Sequence, residues 1–289
     1  MQTKIKVSFW DEHSAWNDES DEGTTWHTDD QIMRESLLYR LMQGINTMPH
    51  LEVLEISSHL PTLPVPIKST LTLSRLRVLS LSLEATDLNF LKRISCPSGV
   101  SLKLTICYDI LSVGLFDSIL GATTDFVAHG TSTLEIKTLI LQPHSPCHLL
   151  VKFWPRIIPP NEIDTPYSEG TCIELHFETC FTINFVAVCA SITENQLISE
   201  LDTLVLPFEP MPHSITTVHF LSGIFEPPTF DFLRVLIAKG WPTTWLLKLL
   251  SIKSESRPSQ HIFPNLREVV TKEGTSDSQQ WRVTTTGFL

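Results

Sequence analysis

One short arrangement of apolar and polar positions recurs along the chain. Met48-Pro49-His50-Leu51-Glu52-Val53-Leu54-Glu55-Ile56 returns as Leu73-Ser74-Arg75-Leu76-Arg77-Val78-Leu79-Ser80-Leu81 and as Ile198-Ser199-Glu200-Leu201-Asp202-Thr203-Leu204-Val205-Leu206. A weaker copy runs Phe263-Pro264-Asn265-Leu266-Arg267-Glu268-Val269. Apolar residues, mostly leucine, at offsets 0, 3 and 5 are the mark of a leucine-rich-repeat strand, and Leu51 and Leu76 lie 25 residues apart, within the usual repeat period of roughly 20 to 29. The expected fold is therefore α/β, an irregular leucine-rich-repeat solenoid with a curved parallel sheet and helices on its convex side.

The other periodicities fill in the elements. Thr28-Asp29-Asp30-Gln31 has capping-box spacing, and Met33, Leu37 and Leu41 follow at helical spacing, so a helix is expected over 29–43 with Gly44 as its left-handed stop. Thr193-Glu194-Asn195-Gln196 repeats that capping spacing ahead of the Leu201 phrase. Strict alternation predicts strands at Val100 to Ile106 and Ile173 to Phe177, and further strands are expected around Ile136 to Leu141 and at Ile215, Val218 and Phe220. Short helices are expected over 87–94, over 110–120 with Gly121 as terminator, over 229–239 with Gly240 as terminator, and from Thr244 onward. The run Leu60-Pro61-Thr62-Leu63-Pro64-Val65-Pro66 reads as an extended spacer, because proline removes N–H donors. Residues 143–166, again rich in proline, read as a long irregular connection enclosing one strand near Leu149 to Trp154.

Three regions follow from this pattern. Residues 1–28 form an acidic, Trp-containing flexible segment with Trp10, Trp16 and Trp26 spaced along it; from Asp11 to Asp30 there are eight acidic residues and no Lys or Arg. Residues 29–271 form the leucine-rich-repeat-like domain, and 272–289 a polar C-terminal tail.

Composition narrows the function classes. With 42% apolar and 18% charged residues, the 289-residue chain can bury a continuous core. A formal net charge of -11 and the lack of any basic run argue against a nucleic-acid partner. No apolar stretch approaches the length of a membrane span, and no secretion signal is expected. Six cysteines without CxxC spacing, and no Asn-x-Ser/Thr site, suit reduced thiols in the cytoplasm or nucleus.

In such repeats the Leu positions point inward and the residues between them form a rigid ladder on the concave face. That ladder would comprise Glu55, Ser80, Lys103, Thr105, Ile140, Glu174, His176, Val205 and His219, mixed in charge and moderately apolar, as suits a protein partner. Catalytic patterns are missing: there is no Gly-x-Ser-x-Gly elbow and no glycine-rich phosphate loop. The best metal or Cys/His pattern is Cys172, His176 and Cys180, with His144, Cys147 and His148 nearby, but its surroundings alternate like a strand and lack the paired spacing of a structural zinc site. Neither a metal nor any other cofactor is expected, and the chain is read as a non-enzyme. A cytosolic metal-dependent or Cys/His hydrolase is the competing class.

The phrases MPHLEVLEI, LSRLRVLSLSL and FPNLREVV, with Pro-rich links and Cys-Pro-Ser-Gly ahead of a Leu-alternating strand, resemble the leucine-rich region of fungal F-box proteins. The similarity covers roughly residues 29–270. It implies a protein substrate or target held for a cullin-RING ubiquitin ligase. In that family an N-terminal F-box binds the ligase adaptor. No F-box-like Leu-Pro-x-Glu segment precedes Gln31, so the adaptor contact would need an F-box outside this chain, and a stand-alone binding protein is the alternative.

Overall fold

The computed structural model describes residues 3–7, 40–57, 70–84, 88, 91–97, 99–108, 113–128, 135–145, 147–163, 173–179, 188, 191–192, 200–206, 228–241, 243–251, 253, 261–273 and 280–285. The strands are β1 Thr3–Val7, β2 Leu51–Ile56, β3 Leu71–Thr72, β4 Val78–Glu84, β5 Ile94–Ser95, β6 Ser101–Tyr108, β7 Thr138–Ser145, β8 His148–Trp154, β9 Ile173–Thr179, β10 Thr203–Leu206, β11 Val235–Lys239, β12 Glu268–Glu273 and β13 Gln280–Thr285. Among the described residues the helices are α1, described over residues 40–46, α2 Val113–Ala128 and α3 Thr243–Ser251, and residues 188 and 191–192 are helical as well. The chain is thus mixed α/β, with one large, mostly parallel sheet and few helices.

Eleven strands form that sheet, in the order β1-β2-β4-β6-β9-β8-β7-β10-β11-β12-β13, while β3 and β5 pair separately. The repeated phrase sets the register. Ile5, Leu54, Leu79, Leu102, Ile173, Phe153, Leu139, Leu204, Leu236 and Val269 are successive partners across ten strands. All of them pack in the main hydrophobic core, Ile5 only partly buried. Burying each such side chain contributes about 1.5–3 kcal/mol, so a one-residue slip, which would turn the whole row to the other face, is strongly disfavoured.

The same tight turn opens four strands. The N–H of Leu51 donates to the Met48 carbonyl (3.1 Å), Leu76 to Leu73 (3.2 Å), Leu233 to Phe230 (3.1 Å) and Leu266 to Phe263 (3.3 Å). The next residue then joins the ladder: the N–H of Arg77 donates to Glu52, Arg234 to Asp202 and Arg267 to Arg234. Phe230 to Ala238 is therefore a further copy of the phrase, where sequence periodicity predicts a helix over 229–239. A 3-10 turn occupies Pro228–Phe232 and strand β11 follows. The periodicity misleads there because Leu236, Ile237 and Ala238 are all buried, so the strand has no polar alternation to betray it. Gly240, at φ 77°, ends a strand rather than a helix.

Strands β2, β4 and β6 lie side by side and parallel, as the phrase spacing predicts. Simple succession then breaks. From β6 the chain passes through α2 to β7, returns antiparallel as β8, and only then fills the place beside β6 with β9. The connection between β7 and β8 is too short to cross over the sheet, so that pair must be antiparallel. The region read from sequence as irregular, 143–166, thus supplies the end of β7 and all of β8, with Pro143 beside a register shift.

The helices cover the core face. In α2, Phe116, Ile119, Leu120, Thr123 and Phe126 are buried at helical spacing, and Phe116 stacks on Phe177 of β9 with ring centroids 5.1 Å apart. Thr123 is tolerated there because its hydroxyl donates to the Ile119 carbonyl at 2.7 Å. Helix α2 runs straight through Gly121, and α1 runs through Gly44, so neither glycine is the stop that its position suggests. Of the helix expected over 87–94, the described residues 88 and 91–93 are 3-10, and Ile94 already opens β5.

Both ends of the chain also depart from expectation. Thr3–Val7, placed by composition in a flexible segment, pairs parallel with β2, because Ile5 alternates inward while Lys4 and Lys6 stay exposed. Gln280–Thr285, expected in a polar tail, pairs antiparallel with β12. The acidic tryptophan segment, the 60–66 spacer, the strand at 215–220 and the capping signals at Thr28 and Thr193 lie outside the described residues. Among the described residues no helix is long and apolar enough to cross a membrane.

Gly121→Ala should stabilise the protein by about 0.5–1 kcal/mol, since a Cβ there meets nothing within 4 Å and alanine is the better helix former. Urea midpoints of the two proteins check this. A loss of stability would restore Gly121 as a helix terminator.

Candidate binding face

The two faces of the sheet are not alike. Between the inward row and its neighbours runs a second cross-sheet row on the outer face: Lys6, Glu55, Ser80, Lys103, Glu174, Lys152, Ile140, Val205, Ile237 and Val270. Its first six members are polar and its last four apolar. The strands under the polar part, β4, β6 and β9, alternate cleanly, as a half-exposed strand does, while β10 and β11 carry unbroken apolar runs, Leu204 to Leu206 and Val235 to Ala238.

The apolar half is covered by the chain itself. Ile140, Val205, Ile237 and Val270 form a second core with Trp154 and with Ile158 of the segment that follows β8. Thr138 holds that segment down: its hydroxyl donates to the Arg156 carbonyl (2.8 Å) and accepts from the Ile158 N–H (3.2 Å). An Arg156–Glu162 ion pair at 3.1 Å braces it further. Ile140 and Val205, expected on an accessible ladder, are therefore buried. Both sit in short apolar runs, Leu139 to Leu141 and Leu204 to Leu206, that are buried on both faces.

Glu55, Ser80, Lys103, Thr105, Glu174 and His176 lie on the open half, on adjacent strands. His219 lies outside the described residues. Glu174, 12% exposed, is the hub: His176 Nε2 lies 2.7 Å, Lys152 Nζ 2.9 Å and Lys103 Nζ 3.8 Å from its carboxylate. Burial by itself would raise the Glu174 pKa. The hydrogen bond to His176, the charge and hydrogen bond of Lys152 and the charge of Lys103 outweigh it and lower the carboxyl from 4.5 to about 2. At the edge, Lys4 pairs with Glu55 at 2.8 Å.

Lys152 is the member that the ladder expectation omits. It stands on the boundary between the halves, on Glu174 and 5.9 Å from the Trp154 ring centroid. The signal was present in His148-Leu-Leu-Val-Lys-Phe-Trp, where one cation interrupts an apolar strand.

The Cys/His pattern does not assemble into a helical face. His176 lies in a strand, where residues four apart are separated by roughly 13 Å, and Cys172 and Cys180 lie outside the described residues. Cys107 Sγ lies 3.7 Å from Glu178 Oε2, and burial pushes the Cys96 thiol up to about 11, the opposite of what a nucleophile needs. Among the described residues no three His, Cys, Asp or Glu side chains group closely enough to hold a metal ion. In comparison with known proteins, the chain matches no family model, no curated sequence and no solved structure.

Thr138→Val should cost about 1–3 kcal/mol, because it strips the partner from a buried Ile158 N–H while keeping the side-chain volume; unchanged urea stability would show that Thr138 does not hold the segment. Glu174 gives a pH test. Its folded pKa lies below the unfolded value, so its contribution is complete above about 4.5 and is lost as pH falls toward about 2. Glu174→Gln should therefore cost up to about 3 kcal/mol at neutral pH, with the gap from wild type closing through that acid window. A gap that does not change with pH would show that the carboxylate is not stabilised by its neighbours.

Proposed function

We propose that the chain is a non-enzymatic protein-binding scaffold, built as an irregular leucine-rich-repeat solenoid and working in the cytoplasm or nucleus. One observation carries the reading: the phrases at Leu51 and Leu76 form adjacent, parallel strands continued by β6, whose leucines enter a helix-covered core, while the residues between them line an open polar face. A rigid backbone with variable outward side chains suits recognition of a protein surface. The helices fall on the core side, as in a solenoid, although the reversed strand β8 and the return through β9 interrupt the array.

The partner is a protein target rather than nucleic acid or a membrane. Recognition of substrates for a cullin-RING ubiquitin ligase is the specific role that the phrase resemblance supports. That role needs an F-box outside this chain, and a scaffold acting without the ligase needs none.

The test is quantitative affinity capture from cells of the source organism, with the wild-type chain and a Ser80→Tyr/Thr105→Tyr variant. Both substitutions fill the open face and leave the core untouched. Wild type should enrich a partner that the variant loses. Co-recovery of the cullin adaptor would support the ligase role, and a partner without the adaptor would leave the plain scaffold. If no partner depends on the face, the scaffold reading is wrong.

A further inference from the structure

The edge of the large sheet at β1 is unfinished in two respects. The first is the backbone. The Ser57 N–H donates to the Val7 carbonyl at 3.0 Å, and Ile5 and Val7 lie in register with Leu54 and Ile56. Backbone polar groups alternate sides along a strand, so those of Ile5 and Val7 turn toward β2 while the N–H and C=O of Lys4 and Lys6 turn away from the sheet. Among the described residues no strand lies beyond them. The second is the core. Its apolar row is buried from Leu54 of β2 to Val269 of β12, yet Ile5 packs on it only partly buried, and Val7, on the same face by alternation, is half-buried too. One added strand would complete both. Charge decides which strand fits. Lys4 and Lys6 are exposed on the opposite face, and the carboxylate beside them on β2, Glu55, pairs with Lys4 at 2.8 Å. Lys6 has no ion pair among the described residues. A second copy of β1 added antiparallel would set four lysines on one face against two Glu55 carboxylates, and like charges across a ladder are destabilising. A strand with a carboxylate beside Lys6 meets no such conflict.

We propose that the free edge of β1 receives an extended segment of a protein partner, added as a further strand of the sheet, with apolar side chains beside Ile5 and Val7 and a carboxylate beside Lys6. The inference rests on the scaffold reading for the partner's being a protein, and it places a contact at the sheet edge, apart from the open face. Main-chain hydrogen bonds to Lys4 and Lys6 supply the affinity of such strand addition, and the alternation of the incoming side chains supplies its selectivity. The two lysines then act in both directions: they keep a second copy of the chain off the edge and admit a strand of opposite charge.

The test is a fluorescence-anisotropy titration of a labelled peptide of alternating valine and glutamate with the full chain at low salt. Saturable binding is expected. Lys6→Pro should weaken it at least about tenfold, because proline removes the outward N–H and its ring blocks the approach, while the bonds to β2 are kept. Lys6→Gln should weaken it about threefold and Lys6→Arg retain it. Urea midpoints of all three variants should stay close to wild type; a marked loss in Lys6→Pro would show that this N–H serves β2 and would overturn the geometry. Absent binding, binding that Lys6→Pro keeps, tighter binding of the corresponding valine and lysine peptide, or a dimer of the chain that Lys6→Pro disperses would each overturn the proposal. So would binding lost in Ser80→Tyr/Thr105→Tyr, which would move the site to the open face. If the peptide fails while face-dependent capture of a partner stands, only the edge site falls. If the peptide binds as expected while capture fails, the open-face reading falls and the edge site stands.

Discussion

Each strand of the large sheet shows alternate side chains to two faces, and much of the molecule follows from how those two demands are met. On one face the demand is uniform. A leucine-type row runs from β1 to β12, helices lie over it, and a common tight turn leads into β2, β4, β11 and β12. Ten strands can share one register because the same spacing of apolar residues recurs in chain segments far apart in sequence.

The other face is solved twice. Where the strands alternate with Ser, Thr, Lys and Glu, exposure costs little and the face stays open. Where they are continuously apolar, exposure would be expensive, and the chain after β8 lies back across the sheet under the control of Thr138. Lys152 and Trp154 mark the boundary: the lysine turns to Glu174 on the open side, and the indole joins the second core. Any binding role assigned to this face therefore belongs to β4, β6 and β9 and their neighbours, not to the entire sheet.

The ion cluster on that open half is more than a set of surface pairs. Exposed pairs contribute little, whereas a carboxylate that is largely buried beneath three bases is costly to leave unpaired. Glu174 is ionised in the fold because His176, Lys152 and Lys103 converge on it from three strands. Those strands are brought together by the reversed hairpin, so the cluster depends on the very part of the topology that departs from a plain repeat.

What the sequence determined by itself was the repeating element. The Leu spacing of two phrases and the alternation of Val100 to Ile106 led to the expectation of neighbouring parallel strands, and alternation along the strands put Glu55, Ser80, Lys103, Thr105, Glu174 and His176 in one outward set. Local spacing also suggested stops at Gly44 and Gly121 that the helices ignore, and a helix where β11 lies. A buried strand with apolar residues on both faces has no alternation to distinguish it from a helix. Only the tertiary structure decided that β8 runs backward between β7 and β9, that Ile140 and Val205 are covered, and that Lys152 completes the cluster. Those outcomes depend on which distant segments meet, and side-chain alternation along one strand carries information about its faces but none about its neighbours.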